Sequence, residues 1–440
     1  MTIPMVLQQL LLLLNSVVDR LWIAHIPDVG LVAFTASGVC LPIIYIILAL
    51  AELTGTGISP QVGRMLGQSC HCQAERTLGS MLAFSLLLAF ATLLVVEVCC
   101  PSLVRLFGAS PQTEAMAQCY LRYSTPGNAL CIVSAMLSPF LLVQGHSGAT
   151  ALVMGSGIVL NMVLDPIFIF LCGWGIAGAA WATTVAETAS ALLALVMIRR
   201  VGFLRIRRRH LRLRWRCVSP CLALGAAPMV MMLAETVQMG VYNQTLSRLS
   251  GDVGIGAMAL VIMLHDFFYF PVYGMAYGAQ PLTSYNLGAG VPSRVKASVR
   301  LLLTSALVWS LVVWMLMMLL TEPIVRLALG SGPMTDYAVP MVRLSFSVFF
   351  AATLQFACQS TLQAMNRAAL TFWLGISRSL LLLVPLVWFL PHLFPGRPYV
   401  GVFMAQPVTD LVAGALTAAI LFVSLRSLSP RGHARPDIYR

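Results

Sequence analysis

The chain is a succession of apolar runs, each about as long as a membrane crossing, separated by short polar breaks. A helix rises 1.5 Å per residue, so about 20 apolar residues span a hydrocarbon layer roughly 30 Å thick. Runs that reach this length lie at residues 2–23, 31–61, 78–99, 117–143, 149–172, 176–197, 220–246, 254–282, 299–320, 338–362, 369–390 and 401–425. The pattern predicts an all-α membrane protein with twelve transmembrane helices. The longest runs read as tilted or kinked helices. Pro42, Pro228 and Pro271 lie inside runs, where neighbouring helices satisfy the carbonyls a proline frees.

The order of residues repeats across the midpoint. Val104-Arg105-Leu106 recurs as Val325-Arg326-Leu327, Leu121-Arg122-Tyr123-Ser124 resembles Val342-Arg343-Leu344-Ser345, and Leu66-Gly67 recurs as Leu287-Gly288. Asp28-Val29-Gly30 recurs as Asp252-Val253-Gly254, Pro166 aligns with Pro385, and Gly178 with Gly401. This predicts two pseudo-symmetric six-helix lobes, residues 1–200 and 217–427, joined by a basic linker at 201–216 and followed by a cytoplasmic tail at 428–440. Tandem halves of this kind suit alternating access around a site at the repeat interface.

Composition supports a membrane chain: 59% of the 440 residues are hydrophobic and 10% charged, with a mean hydropathy of +0.87. Soluble domains carry about 25% charged residues. The net charge of +12 follows the positive-inside pattern. With the N-terminus inside, Arg64, Arg76, the Arg199–Arg216 segment, Arg294, Lys296, Arg300, Arg367, Arg378 and the tail face the cytoplasm. The basic linker suits an anionic lipid leaflet. No recognition module surrounds it, so nucleic acid is not expected as a partner. The 11 cysteines lack paired zinc spacing and read as small hydrophobes in helices. No cleavable signal peptide is visible.

Chemistry is expected where polar groups interrupt apolar runs. Asp165 lies deep in the run 149–172, where a carboxylate costs about 3 kcal/mol or more and marks an ion or substrate path. Asn161 is one turn away on the same face. Thr183 and Glu187 share a face of the next helix, and the Thr183 hydroxyl either joins an oxygen-rich cation site or back-bonds to its own helix. Asp19 and Asp165 lack acidic counterparts in the repeat, whereas Glu187 and Asp410 correspond and read as a bridging or capping pair. In the second half, Asp266, Tyr269, Tyr273, Tyr277 and Gln280 form one stripe, Glu235, Gln238 and Tyr242 a shorter one, and Gln355, Gln359 and Gln363 a third. An acid with aromatic faces suits an aromatic or cationic ligand. Helix packing gives the same stripe. Gly173-Trp-Gly175-Ile-Ala-Gly178 matches a dinucleotide fingerprint, but no strand precedes it, so a helix–helix turn is expected. There is no Gly-x-x-x-x-Gly-Lys phosphate loop, so ATP does not drive this chain directly.

The segments Asn15-Ser-Val-Val-Asp19-Arg20, Asn161-x-x-Leu164-Asp165-Pro166 and Gly173-x-Gly175-Ile-x-Gly178-Ala-Ala-Trp-Ala-Thr183 together resemble the multidrug and toxic compound extrusion (MATE) family, in its bacterial branch. Gly278-Ala-Gln280-Pro281 and Ser284-Tyr285-Asn286-x-Gly288-Ala289 add to the resemblance. It implies a two-lobed antiporter that exports amphipathic, often cationic, compounds against a proton or sodium gradient. Asp19, Asn161, Asp165 and Thr183 match the family's cation-coupling cluster, and as ligands they would hold sodium if sodium is the ion. Glu235 matches an acidic position used in some branches. Gln355 and Gln359 stand where other branches carry an acid, so the resemblance implies no acidic second coupling site there. The substrate-binding residues expected are Glu235, Gln238, Tyr242, Asp266, Tyr269, Tyr273, Tyr277, Gln280, Gln355 and Gln359. No cofactor beyond the coupling ion is expected, and the protein is expected as a monomer in the bacterial cytoplasmic (inner) membrane with both termini cytoplasmic. A lipid-linked oligosaccharide flippase is an alternative that would want a strongly basic cavity, whereas the midmembrane charges read as acidic. A polytopic membrane enzyme would need acid–base or metal groups clustered at a water face.

Overall fold

The computed structural model describes residues 2–27, 29–330 and 332–428, and among them every regular element is a helix. In chain order these are α1 (Thr2–Ala24), α2 (Gly30–Gly55), α3 (Ile58–Gly67), α4 (His71–Leu106), α5 (Glu114–Val143), α6 (Ser147–Pro166) and α7 (Ile176–Arg200). There follow α8 (Trp215–Gly288), α9 (Pro292–Leu329), α10 (Pro333–Phe346), α11 (Phe349–Ala364), α12 (Ala368–Ile376), α13 (Leu383–Phe389) and α14 (Pro398–Arg426). Gly251 breaks α8 with φ 62° and ψ −151°, a conformation that a side chain resists. Two crossings result, Trp215–Gly251 and Val253–Gly288.

Ten helical segments among the described residues are long and apolar enough to cross a membrane, and α10 with α11, bent by 44°, makes an eleventh. The 23 residues of α1 are about 35 Å long at 1.5 Å per residue and supply the twelfth. The run at 31–61 is α2 continued by α3, and the run at 369–390 is built from α12, a π-helical segment Ser377–Leu382 and α13. Another π segment, Ile167–Leu171, follows Pro166 at the end of α6.

The chain forms two compact units: Met1–Ile58 with Cys72–Thr236, and Ser59–His71 with Val237–Arg440. In the first, α5 packs between α2 and α7, and small residues let backbones approach, as membrane helices require. A Cβ on Gly127 would lie 2.5 Å from Thr184 Cα. The Thr184 hydroxyl donates to the Tyr123 carbonyl at 2.5 Å and accepts from the Gly127 N–H at 3.2 Å, tying α5 to α7. In the second unit α11 packs on α14 and α9 around Phe346, Phe349, Phe403 and Met317. There the repeat-related glycines meet: a Cβ on Gly67 would sit 2.1 Å from the Tyr285 carbonyl oxygen, and one on Gly288 2.2 Å from that of Arg64.

The basic linker is docked rather than loose. Leu204 N–H donates to Gln144 Oε1 at 2.9 Å, Arg207 pairs with Glu75 at 3.0 Å, and the Ser80 hydroxyl donates to the Arg212 carbonyl at 2.9 Å. His210 is buried among these contacts, while Arg208, Arg209, Arg212, Arg214 and Arg216 stay exposed. Burial first, and the neighbouring Arg209 charge second, hold the His210 imidazole below its usual range.

One charge assignment is corrected. Arg378 does not belong with the cytoplasmic bases: it lies inside the span Ala368–Leu393, about 15 Å from its start at 1.5 Å per residue. It is tolerated there because it pairs with Asp410, the way membranes accommodate a buried charge. The predicted tail beyond residue 428, and Asp28 of the repeated Asp-Val-Gly, lie outside the described residues.

Two outcomes follow. Gly67→Ala and Gly288→Ala should each destabilise the second unit by about 1–3 kcal/mol through forced backbone separation, read as a lower apparent Tm in detergent. Unchanged melting would contradict the close approach. Because the docked His210 takes up a proton less readily than an unfolded one, the unfolded linker binds more protons as the pH falls through about 6.5, so acidification favours release. Hydrogen exchange across residues 204–214, corrected for intrinsic rate, should speed up at pH 5.5 relative to pH 7.5. In His210→Gln that difference should be absent.

Candidate functional site

In the first unit two carboxylates come together where α1 packs against α6. Asn161 and Asp165 share one face of α6, as their four-residue spacing demands. Asn161 Nδ2 donates to Asp165 Oδ1 at 3.1 Å. Asp165 has 0% exposure, and its other oxygen, Oδ2, has no hydrogen-bond partner. From α1, Asn15, Asp19 and Trp22 recur at helical spacing on the facing side. Asp19 lies within electrostatic reach of Asp165, and Trp22 packs edge-on against Phe170 at 5.9 Å. The Asn15 side-chain oxygen is also buried without a partner. Thr183, on α7, donates to the Ala179 carbonyl of its own helix at 3.1 Å, which leaves its oxygen lone pairs as acceptors. Buried acceptors without donors are rare in folded proteins. Here Asn15 and Asp165 each keep a buried oxygen of this kind.

A further acid of the first unit was not singled out from the sequence. Glu52 on α2 has a buried Oε2 with no hydrogen-bond partner. Glu187 on α7 instead accepts from the Cys131 thiol on α5. Glu52 lies inside the run 31–61, so its depth was the available signal.

The second unit answers the charge problem differently. Arg378, placed by the π segment of the eleventh span, donates through Nε at 3.0 Å and Nη2 at 2.7 Å to the same oxygen of Asp410 on α14. Gln406 Nε2 donates to Asp410 Oδ2 at 3.1 Å, and the Tyr242 hydroxyl donates to Gln406 Oε1 at 3.2 Å. Gln238 Nε2 donates to the Ser379 carbonyl within the π segment at 2.9 Å. Thus Gln238 and Tyr242 converge on one network with Arg378, whose intramembrane position was legible from its place in the run 369–390. A midmembrane base accompanies the acids, and Asp410 compensates it.

The aromatic stripe forms a ladder. Tyr269 and Tyr273 lie 5.0 Å apart, Tyr273 stacks on Tyr277 at 6.3 Å, and Tyr273 meets Phe356 edge-on at 4.5 Å. The Tyr269 hydroxyl donates to the Ala352 carbonyl at 3.0 Å. Gln280 Nε2 reaches Gln363 Oε1 at 2.9 Å and Ser360 at 3.2 Å. Gln355 Nε2 donates to Gln359 Oε1 at 2.7 Å, and Gln359 Nε2 to the Thr371 carbonyl at 3.1 Å. Gln280 and Gln359 thus join helices to one another, while Gln355 bonds within α11. Asp266 is exposed in the second unit, and Glu235 is exposed in the first.

A family model described as MatE matches residues 4–167 and 228–389, one match in each half. A protein of Shewanella oneidensis named FAD transporter is 22% identical over 94% of this chain and 91% of its own length. The multidrug export protein MepA of Staphylococcus haemolyticus is 21% identical over 97% of this chain and 92% of its own. Among solved structures, an outward-facing multidrug resistance MATE transporter of the MOP superfamily superposes with a TM-score of 0.90 at 21% identity, covering 97% of this chain and 95% of that one. A MOP-superfamily transporter from Pyrococcus furiosus gives 0.89 at 21% identity, with the same coverage. At this identity the structural likeness establishes the fold.

The Arg378–Asp410 pair, with side chains 15% and 4% exposed, yields a stability outcome. Arg378→Gln alone strands a buried carboxylate and should cost about 3–5 kcal/mol. Adding Asp410→Asn removes the stranded charge and should recover most of that loss. Equal melting of the single and double variants would show that the two groups do not interact.

Proposed function

The chain belongs to the multidrug and toxic compound extrusion family of membrane transporters, and we propose that it is a secondary antiporter exporting amphipathic organic compounds in exchange for protons or sodium. The observation that carries the reading is Asp165: fully buried, held through one oxygen by Asn161, and offering the other to no protein donor. An ionised carboxylate so poorly solvated is costly, and entry of a proton or cation removes that cost. Asp19 on α1, Asn161 on α6 and Thr183 on α7 are the other oxygen-bearing groups we assign to the cation. A cation with different affinity for two conformers supplies the bias that drives exchange.

Relatives are named for multidrug export and for FAD transport. The aromatic ladder of the second unit supports ligands that carry a ring. Tyr273, Tyr277, Tyr269, Gln238, Tyr242, Gln280, Gln355 and Gln359, with Glu235 and Asp266, are the proposed substrate residues. The compensated Arg378 does not make the strongly basic site a pyrophosphate-lipid flippase would want. We place the protein in the bacterial cytoplasmic membrane as a monomer, both termini inside, with the exposed linker arginines against anionic lipid.

In sealed vesicles, with proton and sodium gradients imposed separately, one gradient should drive efflux of an aromatic amphiphile. Asp165→Asn should fold and insert yet lose at least about tenfold of the gradient-driven component, because its side chain carries no titratable charge. Undiminished efflux by that variant would remove Asp165 from the coupling role.

A further inference from the structure

Arg378 uses little of its hydrogen-bonding capacity. A guanidinium has five N–H donors in a planar fork, and a pair built only for stability commonly spends two of them on two carboxylate oxygens. Here Nε and Nη2 both reach Asp410 Oδ1, and Nη1 makes no hydrogen bond to the described residues. The acid does not depend on Arg378 for its second oxygen, because Gln406 supplies that donor, and Tyr242 holds Gln406 in place. The Arg378 side chain retains 15% exposure.

Its setting is aromatic and fixed. The π-helical turn Ser377–Leu382 widens the helix where Arg378 leaves it, and such turns often accompany functional positions. Gln238 clamps the carbonyl of the next residue, Ser379, which holds the turn. Tyr269 and Tyr273 lie within electrostatic reach of the guanidinium, and Tyr273 continues into the stack with Tyr277. The repeat makes the contrast plain. The fifth span carries an acid, Asp165, and the matching eleventh carries a base.

We propose that Arg378 anchors an anion subsite in the second unit, taking the carboxylate, sulfonate or phosphate head of an aromatic amphiphile whose ring lies along Tyr273 and Tyr277. The head accepts from Nη1 while Asp410 keeps the Nε–Nη2 edge, so the existing pair orients the fork and the ligand completes it. This narrows the substrate class to ring compounds with an anionic or zwitterionic head, and it rests on reading the second unit as the ligand-bearing half of an exporter.

Equilibrium binding tests it without any gradient. The full chain in nanodiscs is titrated with coumarin-3-carboxylate and with the neutral ethyl ester of the same ring. The unaltered protein should bind the carboxylate more tightly. In the charge-neutral double variant Arg378→Gln/Asp410→Asn, the ratio of the two dissociation constants should shift toward the ester by about tenfold, the worth of one charge-assisted bond. An unshifted ratio in the folded double variant overturns the proposal. Should that variant fail to fold, Arg378→Lys keeps the charge beside Asp410 but loses the fork, and its ratio should shift by about threefold or more; an unshifted ratio there overturns it equally. Carboxylate preference without gradient-driven exchange would sink the antiport reading alone. Exchange without carboxylate preference would sink the anion subsite alone.

Discussion

The cost of holding charge away from water governs this structure. In the hydrocarbon layer each ionisable group must be paired, neutralised or turned toward an aqueous path. The two units apply different solutions at related positions. In the second, Asp410 is matched by Arg378 and by Gln406. In the first, Glu187 stands at the equivalent place and accepts from a thiol, and Asp165 has, among the described residues, one amide donor for two oxygens. A carboxylate with both oxygens paired is suited to fixing geometry, here that of the Arg378 fork. An incompletely paired one is suited to taking up and giving back a cation.

That division depends on close helix packing. Apolar side chains gain little by leaving lipid for protein, so association relies on van der Waals fit and interhelical hydrogen bonds. Gly127 against Thr184 in the first unit and Gly67 against Tyr285 in the second provide the fit. Thr184, Tyr269 and the glutamines of α11 provide the bonds. The π segments after Pro166 and around Arg378 are the local departures from this regularity, and each lies beside a buried charged group.

The linker adds a constraint of its own. Its backbone is fastened to α4 and α5 through Ser80, Glu75 and Gln144, while most of its guanidinium groups stay exposed. A segment whose backbone is docked and whose charges are outward can meet anionic lipid without being displaced from the protein.

The sequence alone determined the class, the twelve crossings and the placement of Asn161 and Asp165 on one face, because hydropathy and helical spacing are local properties. It also contained the twofold repeat. It did not determine which buried groups find partners, because partners come from helices far apart in the chain. Gln238, Tyr242, Arg378, Gln406 and Asp410 span more than one hundred residues yet form one network. Arg378 read from the sequence as one more cytoplasmic base, since a lone arginine is costly inside a membrane. Only the approach of α14 brings the carboxylate that makes its burial affordable, and only the tertiary structure leaves Asp165 with one oxygen unanswered.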